Sequence, residues 1–231
     1  MAEAIRVVIL DDHQSVVDGY CYRLGKAGDI QITGTLHFGD ELEPFLASAA
    51  ADVLILDVNV PTAPDNPNPY PILHLMRRLL QQHPNLLILV ISMHNQRTLI
   101  QAVMEAGASG YIVKDDCEAI RQLDDVVRSV ASGGIYYSHQ AQQQLTRNII
   151  EPADPAQLLT PRQLEVLSLC AAFPGSTTAD LARRLGVEHS TVRNLLSGAY
   201  LRLNVSNRAA ALAKARQVGV INPIINPPGE N

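Results

Sequence analysis

The sequence predicts an α/β fold, a doubly wound five-stranded parallel sheet, followed by a small all-α unit of helix-turn-helix type. Three observations carry this expectation. In the first 130 or so residues, short apolar runs alternate with longer segments whose apolar residues recur every three or four positions, which is the pattern of a βα repeat. From Ser138 that pattern dissolves into the Gln-rich and then Pro-punctuated stretch SHQAQQQLTRNIIEPADPAQ. Beyond it only helical periodicity remains. A chain of 231 residues accommodates two such units.

Strands are expected at Arg6 to Leu10, Gln31 to Thr35, Val53 to Leu56, Leu86 to Ile91 and Gly110 to Val113. Each is short, rich in Val, Ile or Leu, and closed by polar or turn residues. Apolar side chains on consecutive positions suit parallel strands covered on both faces. Between them, SVVDGYCYRLGKAG sets Val16, Val17, Tyr20 and Leu24 on one helical stripe. CEAIRQLDDVVRSVASGG does the same with Ile120, Leu123, Val126, Val127 and Val130 before a Gly-Gly stop. A second helical series opens at LTPRQLEVLSLCAA, where Thr160 can cap and Pro161 takes the first helical position. Further helices fit TTADLARRLG, HSTVRNLLSGAYLRLN and NRAAALAKARQVG. These boundaries divide the chain into residues 1–132, a helix end and linker 133–157, the helical unit 158–222 and a flexible tail 223–231.

Composition narrows the possible roles. Three cysteines, Cys21, Cys117 and Cys170, stand far apart without a CxxC pair, which suits a reduced cytoplasmic setting. No basic segment precedes a long apolar run at the start, and nowhere do about 18 apolar residues follow one another, so neither export signal nor membrane span is expected. The net charge of -5 is unevenly spread: residues 1–150 carry -7 and residues 160–220 carry +5. The basic rear half is therefore the part expected to meet a polyanion.

In an open α/β sheet, ligands bind beyond the carboxyl ends of the strands. The residues there are Asp11 and Asp12 after the first strand, Asp57 after the third, Ser92 after the fourth and Lys114 after the fifth. Converging carboxylates repel one another unless a hard divalent cation such as Mg2+ is held among them. Lys114 offers a compact positive charge for a phosphoryl group and Ser92 a neutral hydroxyl donor. Asp57, alone at its strand end, is the candidate nucleophile, because an aspartate can accept a phosphoryl group as an acyl phosphate once metal and lysine neutralise the charge. Asp11 and Asp12 form the metal-binding pair. Past Asp57 the chain holds prolines at positions 61, 64, 67, 69 and 71, a stiff loop of X-Pro pairs that cannot extend the strand.

In TTADLARRLGVEHSTVRNLLSGAYLRLNV, one helix closes at Leu185, Gly186 turns and a second begins at Ser190 or Thr191. Val192, Leu195, Leu196, Ala199 and Leu203 form its buried stripe. Arg193, Asn194 and Ser197 are expected to face outward near its start, where such a helix meets base edges. Arg183, Arg184, Arg202 and Arg208 are candidates for phosphate contacts.

VVILDDHQSVVDGY, LILDVNVP, LVISMHN and AGASGYIVKDD resemble the flavodoxin-like receiver domain of bacterial two-component response regulators, over roughly residues 4 to 132. LTPRQLEVLSLCA, STVRN and LRLNVSNRAAALAKARQVGVI resemble the LuxR-type DNA-binding domain, over about residues 158 to 221. Together they resemble the NarL/FixJ family. The resemblance implies phosphoryl transfer from a sensor histidine kinase to Asp57, Mg2+ held by Asp11 or Asp12, Asp57 and the backbone carbonyl of Asn59, and an aromatic switch at Tyr111 that moves inward as Ser92 reaches for the phosphoryl group. It also implies transcriptional regulation through double-stranded DNA, as a dimer on paired half-sites. His13 and His94 are read as ordinary polar residues, since the phosphodonor histidine belongs to the partner. Leu195 and Gly198 depart from the family's recognition helix, and the loop TAPDNPNPYP is longer than usual. Two other readings stay open. One is a phosphorylation-independent regulator that keeps the receiver for dimerisation. The other is an aspartyl-phosphate phosphatase of the haloacid dehalogenase type, which needs a general acid where this chain has Asn59.

Overall fold

The computed structural model describes residues 3–146 and 159–221. Its first strand, β1 (Ile5–Leu10), is followed by α1 (Gln14–Leu24), β2 (Ile30–Leu36), a 3-10 turn at Gly39–Glu41, α2 (Leu42–Ser48) and β3 (Val53–Leu56). A hairpin of β4 (Pro61–Ala63) and β5 (Asn66–Pro69) comes next, then α3 (Ile72–Gln82), β6 (Leu87–Ser92), α4 (Arg97–Glu105) and β7 (Gly110–Val113). Two short helices, α5 (Cys117–Arg121) and α6 (Leu123–Ala131), lead to β8 (Tyr136–Tyr137) and α7 (His139–Thr146).

The main sheet is parallel throughout, in the order β2-β1-β3-β6-β7-β8. Reversal of the order at β1 and β3 makes the sheet doubly wound and opens a crevice between their carboxyl ends. The apolar runs fill both faces. Val8, Leu10, Leu54, Leu56, Ile88 and Val90 pack with α2, α3 and α4, while Val7, Ile9, Ile55, Leu89 and Ile91 pack with α1 and α6. Every one of these side chains is essentially excluded from solvent, each worth about 1.5–3 kcal/mol of transfer free energy.

Two features differ from the expected fold. The sheet has a sixth strand, because Tyr136 and Tyr137 pair with Gly110 and Tyr111 in a segment read as the end of a helix. A two-residue strand is too short to show an alternation of its own; Ser138 fixes it by donating its backbone N–H to Tyr111 O and accepting from Val113 N on its hydroxyl. The second difference is a break at Gln122 in the helix expected after β7, where ψ turns to 28°. The proline-rich loop forms a hairpin separate from the main sheet, with Thr62 Oγ1 donating to Asn68 O at 2.8 Å. Prolines on both of its strands leave few N–H groups for further pairing. Its base is anchored by Tyr70, whose ring lies so close over Gly39 that a Cβ there would sit 2.0 Å from it.

The helical unit comprises α8 (Pro161–Ala172), α9 (Thr178–Leu185), α10 (His189–Arg202) and α11 (Arg208–Gln217). Thr160 caps α8 and Thr177 caps α9, each in a reciprocal capping box. Gly186 ends α9 with φ 63°, the left-handed conformation that makes the turn into α10. The hydrophobic cluster on the α4 face of the sheet continues through Tyr137, Ala141 and Leu145 into Leu196 and Tyr200, so α10 packs directly on the sheet unit. Residues 147–157 of the expected linker and the expected tail lie outside the described residues.

Candidate functional site

Parallel register brings the strand ends together. Asp57 N–H donates to Leu10 O and Asp11 N–H to Leu36 O, which aligns both carboxylates at one edge. Lys114 N–H donates to Ser92 O, so the ends of β6 and β7 are level with them. Lys114 Nζ then lies 2.7 Å from Asp11 Oδ2 and 2.6 Å from Asp57 Oδ2. Asp11 and Asp57 are buried at 1 % and 5 % exposure, whereas Asp12 stands at the rim. Backbone N–H groups of His13 and Asn59 also donate to Asp11 and Asp57 respectively. Burial alone would lower the Lys114 pKa, but hydrogen bonds and charge from Asp11 and Asp57 outweigh it and hold the ammonium above its ordinary value.

Ligand atoms of Asp11, Asp12, His13 and Asp57 all fall within 4.8 Å of one another. Three carboxylates against one ammonium leave two negative charges in a cluster buried at Asp11 and Asp57 and open at Asp12, a donor set that suits a divalent, oxygen-seeking cation. A cavity of about 280 Å³ opens over it, lined by Asp57, Asn59, Ser92, Met93, His94 and Lys114 among others. The five residues predicted at four strand ends thus gather around one crevice. Ser92 is fully buried and its hydroxyl accepts from His94 N–H at 3.3 Å. Tyr111 is buried too, donating its hydroxyl to His94 O at 2.6 Å, and burial pushes its phenol up to about 12. The Tyr111 side chain thus already lies buried in this structure.

The second group of candidates is arranged differently from the expectation. Of the stripe expected on α10, Val192, Leu196, Ala199 and Leu203 are buried as read, while Leu195 is only half-buried. Arg193 and Ser197, expected to face outward, are buried as well, at 2 % and 5 % exposure. Arg193 donates from Nη1 to Gly107 O at 3.0 Å and from Nη2 to Leu86 O at 3.1 Å. Ser197 meets the hydroxyl of Tyr137 on β8. Asn194 remains exposed, with Nδ2 3.5 Å from Glu105 O. Packing of the helical unit against the sheet unit overrode the outward orientation, because the far side of α10 already faces α8 and α9. Arg208 is half-buried and donates to Ser176 O and, at 3.5 Å, to Gly133 O. Arg183 pairs with Asp180 and Arg184 lies over the Phe173 ring, 3.8 Å from its centroid; both are exposed, as is Arg202. Gly198 also has a local reason, since a Cβ there would lie 2.5 Å from Gln163 Nε2 on α8.

Sequence reasoning missed Tyr137 and His189. Two adjacent tyrosines after the Gly-Gly stop were the only trace of the former. His189 has Nδ1 3.0 Å from Pro84 O and Nε2 against Thr178, and burial lowers its pKa to about 4.

Residues 7–126 match the family described as response regulator receiver domain, and residues 157–215 match bacterial regulatory proteins of the luxR family. The chain is 26% identical over 234 residues to the transcriptional regulatory protein DegU of Brevibacillus brevis, covering 93% of this chain and 94% of the relative. It is 27% identical over 213 residues to the oxygen regulatory protein NreC of Staphylococcus epidermidis, covering 88% and 93%. Its fold is like that of RcsB from Salmonella enterica serovar Typhimurium bound to a promoter, at TM-score 0.56 and 24% identity over 94% of this chain and 100% of that one. A receiver with its acidic crevice joined to a helix-turn-helix unit defines the class: a two-component response regulator that acts on transcription through DNA. Within that class, this chain belongs to the NarL/FixJ family. Among its described residues, no helix is long and apolar enough to cross a membrane.

Proposed function

We propose that Asp57 is the phosphoacceptor of a histidine kinase and that its phosphorylation releases α10 for DNA. A carboxylate oxygen of Asp57 attacks the phosphorus of the kinase's phosphohistidine, the P–N bond breaks, and an acyl phosphate forms. Asp11, Asp12, Asp57 and the Asn59 carbonyl would hold Mg2+, which when bound supplies charge neutralisation for the phosphoryl oxygens. Lys114 would move from the carboxylates to the incoming phosphoryl group, and Ser92 would donate its hydroxyl to it. Residues 1–132 form the phosphoacceptor unit in this reading, 133–157 the connection and 158–222 the DNA-reading unit. The single observation behind it is the Lys114 ammonium shared at 2.6–2.7 Å between buried Asp57 and Asp11 at adjoining strand ends.

The burial of Arg193 and Ser197 supports a closed resting state, because two of the three side chains expected at base edges are turned into the sheet unit. Opening would also free the protein to bind paired half-sites as a dimer, in the manner of the two RcsB dimers solved bound to two parallel DNAs. Acetyl phosphate with Mg2+ tests the chemistry. Mass spectrometry should find one added phosphoryl group on the wild-type chain and none on Asp57→Ala; a phosphoryl group that survives that substitution would overturn the assignment.

A further inference from the structure

The guanidinium of Arg193 is an unusual group to bury. It lies at 2 % exposure, and among the described residues no carboxylate stands within ion-pair distance of it. Its Nη1 donates to the main-chain carbonyl of Gly107 and its Nη2 to that of Leu86, with His189 Nδ1 also 3.2 Å from Nη2, and its Nε is left without a partner. A charge held by carbonyl dipoles and a neutral ring, with no carboxylate, is poorly compensated, and burial lowers the pKa of this guanidinium to about 10. Two acceptor oxygens on one planar fork are the same acceptor pattern that O6 and N7 of guanine offer in the major groove.

The place of the two carbonyls matters as much as their chemistry. Leu86 precedes β6 and Gly107 precedes β7, so both sit at the amino ends of strands whose carboxyl ends carry Ser92 and Lys114. Helix α4 runs between these two ends of the sheet. It starts beyond His94, whose carbonyl is held by Tyr111, and finishes at Glu105, next to the Gly107 turn. Gly107 adopts φ 103°, a conformation that L side chains rarely take, and its carbonyl accepts from Arg193 on α10. Any shift of α4 that follows rearrangement around Ser92 and His94 carries the Gly107 carbonyl with it.

We propose that Arg193 is a shared specificity residue: the receiver's Gly107 and Leu86 carbonyls occupy it as a surrogate for a guanine edge, and DNA competes for the same donors once α4 moves. This rests on the reading that the helical unit binds DNA and that the receiver gates it. It goes further by naming the group over which the two compete. The weakness of the carbonyl pair is then functional, since a well-paired Arg193 would not exchange for DNA.

The test uses the full chain and two variants. Without phosphodonor, small-angle scattering should show a compact wild type, an extended Arg193→Met and an intermediate Arg193→Lys, because an ammonium cannot reach both carbonyls as a fork. After phosphodonor treatment, selection from random duplexes should give a guanine preference at one position of each half-site in wild type. That preference should fall about 10- to 100-fold in Arg193→Met, the loss of one bidentate base contact. Scattering of Arg193→Met that superimposes on wild type, or an unchanged guanine preference, overturns the proposal. If circular dichroism shows that Arg193→Met does not fold, Arg193→Lys decides both measurements by the same criteria. The scattering arm involves no phosphorylation, so its failure is distinct from failure of Asp57 to accept a phosphoryl group.

Discussion

The hydroxyls of Tyr137 and Ser197 touch in the buried seam between the receiver sheet and the DNA-reading helix. Tyr137 is also the parallel partner of Tyr111, the residue whose own hydroxyl holds the His94 carbonyl beside the carboxylate crevice. One strand pair therefore separates the loop after β6 from the face of α10. Replacing Tyr137 by Phe leaves the ring in place and strips Ser197 of its partner, at a cost of about 1–3 kcal/mol to the closed form. DNA binding without phosphodonor should strengthen in Tyr137→Phe while its far-ultraviolet circular dichroism stays that of wild type. Unchanged DNA binding would mean that this contact does not hold the helix.

Lys114 pairs with two buried carboxylates at once. Lys114→Met leaves Asp11 and Asp57 facing each other, and breaking a buried pair in this way costs about 3–5 kcal/mol. Thermal melts should show the variant destabilised in the presence of chelator and largely rescued by millimolar Mg2+, with a smaller Mg2+ effect on wild type. Because the Lys114 pKa is raised on folding, its contribution is complete below its unfolded value and is lost only as pH climbs through the higher folded value. Stability near neutral pH is thus independent of its titration.

His189 titrates in the opposite sense. Its folded pKa of about 4 lies below the ordinary 6.5, so the unfolded or opened chain binds the extra proton. Burial of the ring and the neighbouring Arg193 charge are the causes. The closed arrangement should loosen as pH falls from 6.5 toward 4 and be insensitive to His189 above that window. Scattering across this range, compared between wild type and His189→Gln, checks it; the difference between the two should grow only on the acid side.

The proline hairpin follows Asp57 by four residues and is anchored through Tyr70 over Gly39. Shortening residues 62–69 to a tight turn should leave phosphorylation by acetyl phosphate unchanged and alter the rate or choice of the histidine kinase. Gly39→Ala gives a milder version, since the added Cβ displaces the Tyr70 ring at the hairpin base, with an overpacking cost of about 1–3 kcal/mol. Equal rates with the kinase in all three proteins would assign the hairpin no part in recognition.

The convergence of these side chains was legible in the sequence because strand ends in a parallel sheet impose their own geometry. Once β1, β3, β6 and β7 are placed, Asp11, Asp57, Ser92 and Lys114 have nowhere else to converge. The orientation of α10 was not legible in the same way. Its apolar stripe defines one buried face, but Arg193 and Ser197 are buried by a second surface that periodicity within the helix cannot report. What captures Arg193 is a pair of main-chain carbonyls, and carbonyls have no letter in a sequence. Gly107 was the nearest trace, a glycine between a helix and a strand that any turn could have used. The sixth strand was hidden for a simpler reason, since two residues are too few to carry a period.

Control of the reading helix by chemistry at Asp57 is the central claim, and DNA affinity reads it most directly. Fluorescence anisotropy of the full chain on a duplex recovered from its own random selection measures this, with and without acetyl phosphate and Mg2+, for wild type and Asp57→Ala. Affinity should rise with phosphodonor in wild type by the reciprocal of the open fraction and stay flat in Asp57→Ala. Equal affinity of wild type in both conditions, or an increase that persists in Asp57→Ala, would contradict it.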